Sequence, residues 1–534
     1  MATMPPPATP EIIRLSPADL ERLLGELRGL LPPPTNQLVE SLLRTLQWVL
    51  ALLEEKTATL ARIRRLIGGK QSEKSSVILP GTRAQEGSSQ PKSKPKGHGR
   101  RAAGDYPGAQ LIQVPHPHHH VGDLCPKCLR GLLYLFKTPA RIVHIVAQPF
   151  LSATVFELER LRCALCGALL TAPTPPEAGA GKYDVSVGFM LALMRFGAGL
   201  PMYRMAKWQN YFGVPVPATT QWGLIAAAAA LPELVFRALV SAAAQGQLLH
   251  HDDTYMRVQS LRREINAELE TDDPDARTGI FTTAILARVG PVRIALFFTG
   301  RQHAGENLQD LLRQRATELA QPLVMCDALA RNVPKELAVV LANCLAHARR
   351  QHVDQIENFP AECTQVIESL AKVYRLEEQA REQQLSDVER LAFHQEHSRP
   401  VMDELQKWMQ DQLDQKRVEP NSGLGHAFNY MLKRWDPLTR FLSVPGAPLD
   451  NNLTEQALKT AILHRKNSLS YKTANGARVG DIFMSLIHTC ALNQVNPFDY
   501  FMALERHAET VKKNPADWFP WNYHLAVATS AGSG

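Results

Sequence analysis

The sequence predicts a multidomain α+β protein, and three observations support this prediction. The chain has 534 residues, more than one hydrophobic core usually organises, so we expect three or four folded units. Apolar residues make up 45% and charged residues 21%, near the average for globular proteins. Helical heptads, paired cysteine motifs and strand-like segments follow one another along the chain. A single small module and a mainly disordered chain are therefore excluded.

The positive charge is concentrated in one segment. The formal net charge is +7, yet residues 62–101 contain eleven Lys or Arg and two Glu, a local charge of +9. The rest of the chain therefore sums to −2. Such a distribution is typical of an arm that binds a polyanion.

The sequence predicts neither secretion nor a membrane span. Residues 1–14 have proline and acid where a secretory signal needs a basic start and an apolar core. The most apolar stretch, 224–244, contains Pro232, Glu233 and Arg237, so we expect a buried helix. Eight cysteines without a signal are better explained by metal binding or core packing than by disulfides. The expected compartment is the cytoplasm.

The N-terminal part consists of a Pro-rich segment, 1–36, and a heptad pattern over 37–68. Of the eight heptad core positions seven are apolar, namely Leu42, Leu46, Val49, Leu53, Leu60, Ile63 and Ile67, and the eighth is Lys56. A helix with this pattern buries its apolar face most simply by packing against the same helix of a second copy of the chain. The lone Lys56 could then fix the register of the two helices. We therefore expect a coiled-coil helix that makes the protein at least a dimer, with intramolecular packing as the alternative.

The segment 69–110 is rich in Ser, Lys, Pro and Gly and has no hydrophobic periodicity. It predicts a basic, flexible linker. Its cations either neutralise DNA phosphates or belong to a solvated tether.

Residues 111–175 contain two CxxC motifs, formed by Cys125 with Cys128 and by Cys163 with Cys166. Paired motifs of this kind place four thiolates around one tetrahedral ion, so they predict a structural Zn²⁺ site. Alternating apolar residues within 143–158 predict β-strands between the motifs. A redox pair is the alternative.

Residues 180–245 are predicted to be helical. A helix over 202–212, a turn at 213–217 and a second helix capped by Thr219 or Thr220 resemble a helix-turn-helix arrangement. Any pair of antiparallel helices has the same pattern, so both interpretations stay open.

From residue 246 the pattern changes to strands. Four segments are predicted strands: 248–258, 279–286, 292–299 and 322–325. The second and third form a hairpin. Asp252 lies inside the first strand and Asp327 follows the fourth. Burying a carboxylate costs several kcal/mol unless it is paired or binds a metal, so both acids call for an explanation.

A third acid, Glu455, lies on a helix for which Asp450 or Asn451 is the expected N-cap. An acid on the first strand, one after the fourth and one on a later helix predict a ribonuclease-H-like catalytic core. Three such carboxylates suit two-metal phosphoryl transfer, in which one ion activates the attacking oxygen and the other stabilises the leaving oxygen.

The sequence resembles transposases of the insertion sequence 66 family, which are DDE-type enzymes of mobile DNA elements. The resemblance covers almost all of the chain from about residue 40. It rests on several motifs: the heptad helix ending in Gly69-Lys70-Gln71-Ser72-Glu73-Lys74, the four-cysteine domain, Asp252-Asp253-Thr254, Cys344-Leu-Ala-His347-Ala-Arg349-Arg350, Asp450-Asn451-Asn452-Leu453-Thr454-Glu455, Arg465-Lys466-Asn467, Ser485-Leu486-Ile487 and Asn496-Pro497 to Tyr500.

The resemblance implies that Asp252, Asp327 and Glu455 are the catalytic carboxylates and hold two Mg²⁺ or Mn²⁺ ions. The catalytic core then comprises 246–354 and 448–510, interrupted by an all-α insertion over 355–447 and followed by a tail, 511–534. The sequence departs from the family pattern at four positions: Asp253, Ala328, Leu329 and Lys459. None of these departures removes a metal ligand.

The implied activity is DNA transposition. Such an enzyme binds the ends of its element, hydrolyses a phosphodiester bond and joins the freed 3′ hydroxyl to target DNA. Six residues are candidates for gripping the DNA backbone: Arg349, Arg350, Lys459, Arg465, Lys466 and Asn467. The alternative for each cation is a solvated or helix-end charge. Element-encoded accessory proteins and a nucleoid-associated bacterial location are further implications of the resemblance.

Two other functions fit parts of the pattern. The first is a catalytically silent DNA-binding relative that acts as a repressor or accessory factor, although all three acids are retained. The second is a metal phosphohydrolase, suggested by the adjacent His251 and Asp252. Such His-Asp pairs sit on helices, whereas this pair lies in a strand-like context.

Strand geometry separates the two neighbouring acids, Asp252 and Asp253. Adjacent side chains in a strand point to opposite faces, so the two carboxylates cannot easily reach one metal pair. We expect Asp252 to be catalytic, in agreement with the resemblance, and Asp253 to be held by polar neighbours.

Overall fold

The structure is a computed structural model, and it describes residues 17–28, 32–54, 109–137, 140–145, 149–166, 168–269, 277–334 and 336–531. It divides into two compact units, one formed by Arg83–Ala153 and the other by Met1–Thr82 with Thr154–Gly534. The predicted basic linker, apart from its last two residues, lies outside the described residues. So does the predicted coiled coil beyond Glu54.

The N-terminal part contains two helices, α1 (Pro17–Arg28) and α2 (Pro33–Glu54). They pack against each other, and Leu24 of α1 is buried. Leu42, the first position of the predicted heptad seam, is exposed on α2. A helix is thus present where the seam begins, and its pairing with a second copy stays a prediction.

The cysteine-containing region has less β-structure than expected. The alternating apolar residues between 143 and 158 form no strand in the described part of that segment, and Ile145 and Val155 are largely exposed. This prediction was wrong because the alternation there buries neither face. The strands lie later, as a short antiparallel hairpin of β1 (Arg160–Arg162) and β2 (Leu169–Thr171).

A helical region follows. It consists of four helices: α3 (Val185–Ala192), α4 (Met202–Tyr211), α5 (Ala218–Ala228) and α6 (Ala230–Ala244). The predicted caps of α5, Thr219 and Thr220, are wrong, since α5 begins at Ala218 with Pro217 as its N-cap. The fixed φ of proline starts the helix earlier than the threonines would.

The apolar stretch within this region is buried, as predicted. Val235 and Leu239 of α6 are fully shielded from solvent. No single helix in the described part of the chain is long and apolar enough to span a membrane. Among the described helices, the pair α5 and α6, bent by 50°, meets that length and composition only when both are taken together.

The central feature is a five-stranded mixed sheet. Its strands and connecting helices are, in chain order, β3 (Leu248–Tyr255), α7 (Gln259–Leu269), β4 (Phe281–Val289), β5 (Val292–Gly300), α8 (Ala304–Leu312), β6 (Leu323–Cys326) and β7 (Val340–Asn343). The order across the sheet is β5-β4-β3-β6-β7. Strands β3, β4 and β5 are antiparallel neighbours, whereas β3, β6 and β7 run parallel.

The predicted strands and the hairpin are confirmed, with ends shifted by up to three residues. Strand β7 was not predicted. Its four residues carry no alternation, and a short buried apolar run cannot be assigned to strand or helix by periodicity.

Six helices lie between β7 and Leu449: α9 (Leu345–Val353), α10 (Pro360–Glu382), α11 (Asp387–His397), α12 (Arg399–Asp414), α13 (Gly423–Leu432) and α14 (Trp435–Leu438). Their buried side chains, including Leu370, Met409 and Phe428, share one hydrophobic cluster with Leu323 and Met325 of β6. The helices therefore pack onto the sheet rather than forming a separate core.

Five helices complete the chain: α15 (Asn452–Ser468), α16 (Ala474–Leu492), α17 (Pro497–Arg506), α18 (Ala508–Lys513) and α19 (Tyr523–Ala531). α15 packs on β3 and β4, and α16 packs on β5. Within the predicted tail, Trp518 is buried and its carbonyl accepts a 2.7 Å hydrogen bond from the Tyr500 hydroxyl.

The edge strand β5 is closed by side chains of α16 and its C-cap. The backbone N–H groups of Thr299, Phe297, Ala295 and Arg293 donate to side-chain oxygens of Asp481, Ser485, Thr489 and Asn493, at 2.7, 2.9, 3.0 and 3.4 Å respectively. Four helical residues rise about 6 Å and two strand residues about 6.6 Å, so the two series stay in register. The edge is thereby protected from pairing with another strand.

Candidate active site

Asp252 lies near the end of β3 and is partly buried. Its Oδ1 accepts a 2.8 Å hydrogen bond from the backbone N–H of Asp253. Burial is the main cause that raises the pKa of Asp252 to about 7. The negative charges of Asp327, Asp253 and Glu455 raise it further. This side chain is therefore a partly buried acid with other acids nearby.

Asp327 follows β6 directly. Because β6 runs parallel to β3, with Leu249 opposite Val324, both strands deliver their acids to the same edge of the sheet. The side-chain amide of Asn332, itself buried, donates a hydrogen bond to Asp327 Oδ1. Asn332 was not among the predicted site residues.

Glu455 lies in the first turn of α15. Its Oε1 is 3.7 Å from Nε2 of His347, a residue of α9. His347 belongs to one of the motifs that carry the family resemblance but was not among the predicted site residues. The contact places α9 beside the third acid.

Asp253 occupies a different environment from Asp252. Its side chain is 4% exposed, and Oδ2 lies 3.0 Å from Nδ1 of His303. The same oxygen accepts from the backbone N–H of Ala304 at 3.3 Å, and Arg331 lies 3.8 Å from Oδ1. Asp253 thus joins β3 to the start of α8, as expected of an acid on the face opposite to Asp252.

Asn451 connects the elements that carry the acids. It is the N-cap residue of α15, one of the two predicted, but its fully buried side chain makes no capping hydrogen bond to the helix backbone. The Nδ2 group donates to the carbonyl of His251 at 2.9 Å. Its Oδ1 lies 3.1 Å from Nδ1 of His250 and accepts from the Thr454 hydroxyl at 3.0 Å.

These contacts define the state of His250. Burial lowers the pKa of His250 to about 4, so its ring is neutral near pH 7. Since the amide nitrogen of Asn451 is committed to His251, the Nδ1 of His250 carries the proton and donates to Oδ1. Asn451 therefore joins α15 to β3 within a few residues of both Glu455 and Asp252.

A second link runs through Cys344 at the N-cap of α9. The backbone N–H of Asn451 contacts the Cys344 sulfur at 3.3 Å. The backbone N–H of Cys344 donates to the carbonyl of Cys326, the last residue before Asp327, at 3.1 Å. The three acid-bearing segments are therefore joined by one chain of hydrogen bonds.

The six candidate DNA-binding residues differ in their surroundings. Arg465 donates to the Thr254 hydroxyl at 3.2 Å and to the Tyr255 carbonyl. Asn467 donates to the Gly199 carbonyl at 3.0 Å. Both therefore hold α15 in place. Lys459 and Lys466 are exposed, and Arg349 and Arg350 are partly buried on α9.

The first CxxC motif forms a tight turn. The backbone N–H of Cys125 donates to the Gly131 carbonyl at 2.7 Å, and that of Leu129 donates to the Cys125 carbonyl at 2.9 Å. Hydrogen bonds from the backbone of Arg130 and Gly131 are the main causes that lower the pKa of the Cys128 thiol. The turn favours the thiolate, the form that binds metal.

The second CxxC motif lies at the tip of the β1–β2 hairpin, where the N–H of Cys163 donates to the Ala168 carbonyl at 2.9 Å. Cys163 and Cys166 belong to one compact unit, and Cys125 and Cys128 to the other. None of the eight cysteines, all within the described residues, forms a disulfide. Among the described residues, no group of three or more His, Cys, Asp or Glu side chains is close enough to hold a metal ion.

The donor chemistry at the sheet edge nevertheless suits a divalent cation. Carboxylate oxygens are the ligands that Mg²⁺ and Mn²⁺ prefer. A cation would also relieve the repulsion among Asp252, Asp327 and Glu455 that contributes to the raised pKa of Asp252. The structure thus defines a mixed α/β protein whose candidate active site is the group of acids at the ends of β3 and β6 and the start of α15.

Comparison with known proteins gives the family. A sequence model of the transposase IS66 family matches residues 182–479, more than half of the chain, so the chain belongs to this family. The matched region contains Asp252, Asp327 and Glu455. The predicted family resemblance is confirmed.

Relatives include uncharacterized proteins of Sinorhizobium fredii. The protein y4jD is 27% identical over 385 residues, which is 68% of this chain and 71% of that protein. The protein y4hP is 24% identical over 388 residues, which is 70% of this chain and 68% of that protein.

Proposed function

We propose that this protein is a DDE transposase that binds the ends of its mobile element, hydrolyses DNA phosphodiester bonds and joins the 3′ hydroxyl ends to target DNA. The observation that carries the proposal is the partly buried Asp252, whose pKa is raised by burial and by the negative charges of Asp327 and Glu455, all three within the family-matched region. The strand order β5-β4-β3-β6-β7, with only β4 antiparallel to β3, supports a ribonuclease-H-like core.

Asp252, Asp327 and Glu455 would hold two Mg²⁺ or Mn²⁺ ions. When bound, such ions activate the attacking oxygen and stabilise the leaving oxygen. The protein itself positions the carboxylates. Asn332 fixes the orientation of Asp327, and Asn451 fixes α15 relative to β3.

The surrounding cations serve to hold the DNA backbone. Lys459 and Lys466 are exposed on α15, the helix that carries Glu455, and this exposure supports a role in binding phosphates. Arg465 acts through its bonds to Thr254 and the Tyr255 carbonyl, which fix the end of β3. Arg349 and Arg350 extend the basic surface along α9.

The remaining parts would bring two DNA ends together. We infer that the heptad helix makes a homodimer or higher oligomer, because concerted transfer needs both ends in one complex. Cys125, Cys128, Cys163 and Cys166 would hold one structural Zn²⁺. The thiolate-favouring turn at Cys128 supports this assignment.

Incubating the purified protein with labelled DNA that carries the element ends tests the proposal. We expect strand cleavage at the ends, leaving 3′ hydroxyls, in Mg²⁺ or Mn²⁺ and none in chelator. Glu455→Gln is expected to abolish cleavage, whereas Asp403→Asn, at an exposed acid of α12, serves as the matched control.

Cleavage that persists in chelator would contradict the metal-dependent chemistry. Specific binding of the element ends without cleavage in any divalent metal would instead identify a silent DNA-binding relative.

A further inference from the structure

Helix α4 exposes an unusual number of aromatic side chains. Tyr203, Trp208 and Tyr211 are 61%, 44% and 70% exposed, and Phe212, directly after the helix, is 49% exposed. Soluble proteins seldom leave large apolar groups this close together on the surface, and such patches usually mark a binding site.

The aromatic residues share the outer face of α4 with two cations. Met205 and Gln209, four residues apart, are the buried positions that face the protein. The outer face therefore consists of two rows with helical i, i+4, i+8 spacing. One row is Tyr203, Lys207 and Tyr211, and the other is Arg204, Trp208 and Phe212.

Each cation is held beside a ring. The Arg204 guanidinium lies over the Tyr203 ring at 5.6 Å, and its Nε donates to the Tyr203 hydroxyl at 3.0 Å. The Lys207 ammonium lies 5.8 Å from the centre of the Tyr211 ring. The helix contains no acid. Flat rings interleaved with cations complement nucleic acid, whose bases stack and whose phosphates are negative.

The neighbouring helix α5 lacks these features. In a helix-turn-helix protein the second helix reads the major groove with polar and basic side chains. The second helix here, ATTQWGLIAAA, has no charged residue. The chemistry of this region therefore favours α4 as the nucleic-acid-binding helix and unpaired bases, rather than groove edges, as its ligand.

The α4 face is linked to the candidate active site. The Asn467 side chain near the end of α15 donates to the carbonyl of Gly199, three residues before α4. Glu455 lies in the first turn of the same helix. Twelve helical residues separate Glu455 from Asn467, a distance of about 18 Å. About five nucleotides span this distance at roughly 3.4 Å each.

We propose that the outer face of α4 binds single-stranded DNA, with unpaired bases stacked on Trp208 and Tyr211 and phosphates paired with Arg204 and Lys207. The choice of DNA as the strand rests on the proposed transposase function. In that setting the face holds unpaired nucleotides of the DNA that the enzyme cleaves, next to the loop that Asn467 of α15 fixes.

Fluorescence anisotropy of the full-length protein with a labelled single-stranded oligonucleotide, and with the duplex of the same sequence, tests the proposal. Replacing Trp208 and Tyr211 together by Ala is expected to lower single-strand affinity tenfold or more, and duplex affinity by less than about threefold. The Trp208→Phe, Tyr211→Phe variant keeps both rings and is expected to retain most of the single-strand affinity. Tyr134→Ala, at an exposed aromatic elsewhere, is the control.

The cations have their own readout. Arg204→Ala and Lys207→Ala are each expected to reduce the salt dependence of single-strand binding, with the slope of log affinity against log salt falling by about 0.7 per cation. Circular dichroism melts check that all variants fold.

Several results would overturn the proposal. One is a Trp208→Ala, Tyr211→Ala variant that folds and keeps its affinity for single-stranded DNA. Another is a variant that loses affinity for single-stranded and duplex DNA to the same extent. A changed oligomeric state in sedimentation, without loss of single-strand affinity, would assign the face to a protein interface. The binding assay does not depend on catalysis. If the double-Ala variant loses single-strand affinity but the wild-type protein never cleaves DNA, only the proposed function is contradicted. If the wild-type protein cleaves DNA and the double-Ala variant binds single strands normally, only this inference is contradicted.

Discussion

Removing the Asn451 side chain tests whether it holds the acid-bearing elements together. Asn451→Ala deletes three buried contacts, to the His251 carbonyl, His250 Nδ1 and the Thr454 hydroxyl. Each net hydrogen bond contributes about 1 kcal/mol, and a buried group left without a partner costs about 1–3 kcal/mol. We therefore expect the free energy of unfolding to fall by about 3–5 kcal/mol, a large share of the roughly 5–15 kcal/mol typical of a domain.

The neighbouring Asn452 is a matched control. It is the same residue type one position later, but it is exposed, and its contacts run only to Asp450. Asn452→Ala is expected to change the unfolding free energy by no more than about 0.5 kcal/mol. Urea denaturation followed by tryptophan fluorescence compares the two variants with the wild type.

The same pair of variants separates stability from positioning. Under conditions where both are folded, Asn451→Ala is expected to bind DNA normally yet cleave it slowly, because Glu455 no longer has a fixed position relative to Asp252. If Asn451→Ala unfolded at the same urea concentration as Asn452→Ala and cleaved DNA at the same rate, the reasoning about this network would be refuted.

Three further predictions concern other parts of the chain. Burial raises the pKa of Asp481 to about 8, so the folded protein keeps a proton that the unfolded chain releases, and stability falls as the pH rises towards 8. Asp481→Asn preserves both bonds to Thr299 without titrating, so its melting temperature should decline less than that of the wild type between about pH 6 and 9. Metal analysis should find about one zinc per chain in the wild type and none in Cys163→Ser. Folded wild-type protein that lacks zinc while the thiols of both CxxC motifs are unmodified would contradict the site. Polar substitutions at Leu46 and Leu53 should yield monomers in sedimentation, and a variant that sediments like the wild type would show that the seam is intramolecular.

Local patterns predicted much of the sheet. The Gly290-Pro291 turn between two β-branched segments was enough to predict the β4–β5 hairpin. The alternation of strand side chains distinguished Asp252 from Asp253, because successive side chains of a strand point to opposite faces of the sheet. These features depend on residues close together in the sequence.

Features that depend on distant residues were missed. Asn451 is the N-cap residue of α15, as the sequence predicts, yet its side chain bonds to His250 and His251, which lie 201 and 200 residues away. The contacts of Asn332 and His347 with the acids likewise arise only when the elements pack. Alternating apolar residues near Val155 predicted a strand. Such a pattern forms a strand only where a partner strand is available and one face is buried.

The central claim is that Asp252, and not its neighbour Asp253, is a catalytic carboxylate. Cleavage and transfer of labelled element ends by Asp252→Asn and Asp253→Asn, with Mg²⁺ and equal protein, test it most directly. We predict that Asp252→Asn abolishes both reactions while DNA binding and zinc content stay near normal, and that Asp253→Asn keeps measurable activity. Full activity in Asp252→Asn, or equal inactivity in both variants, would contradict the account.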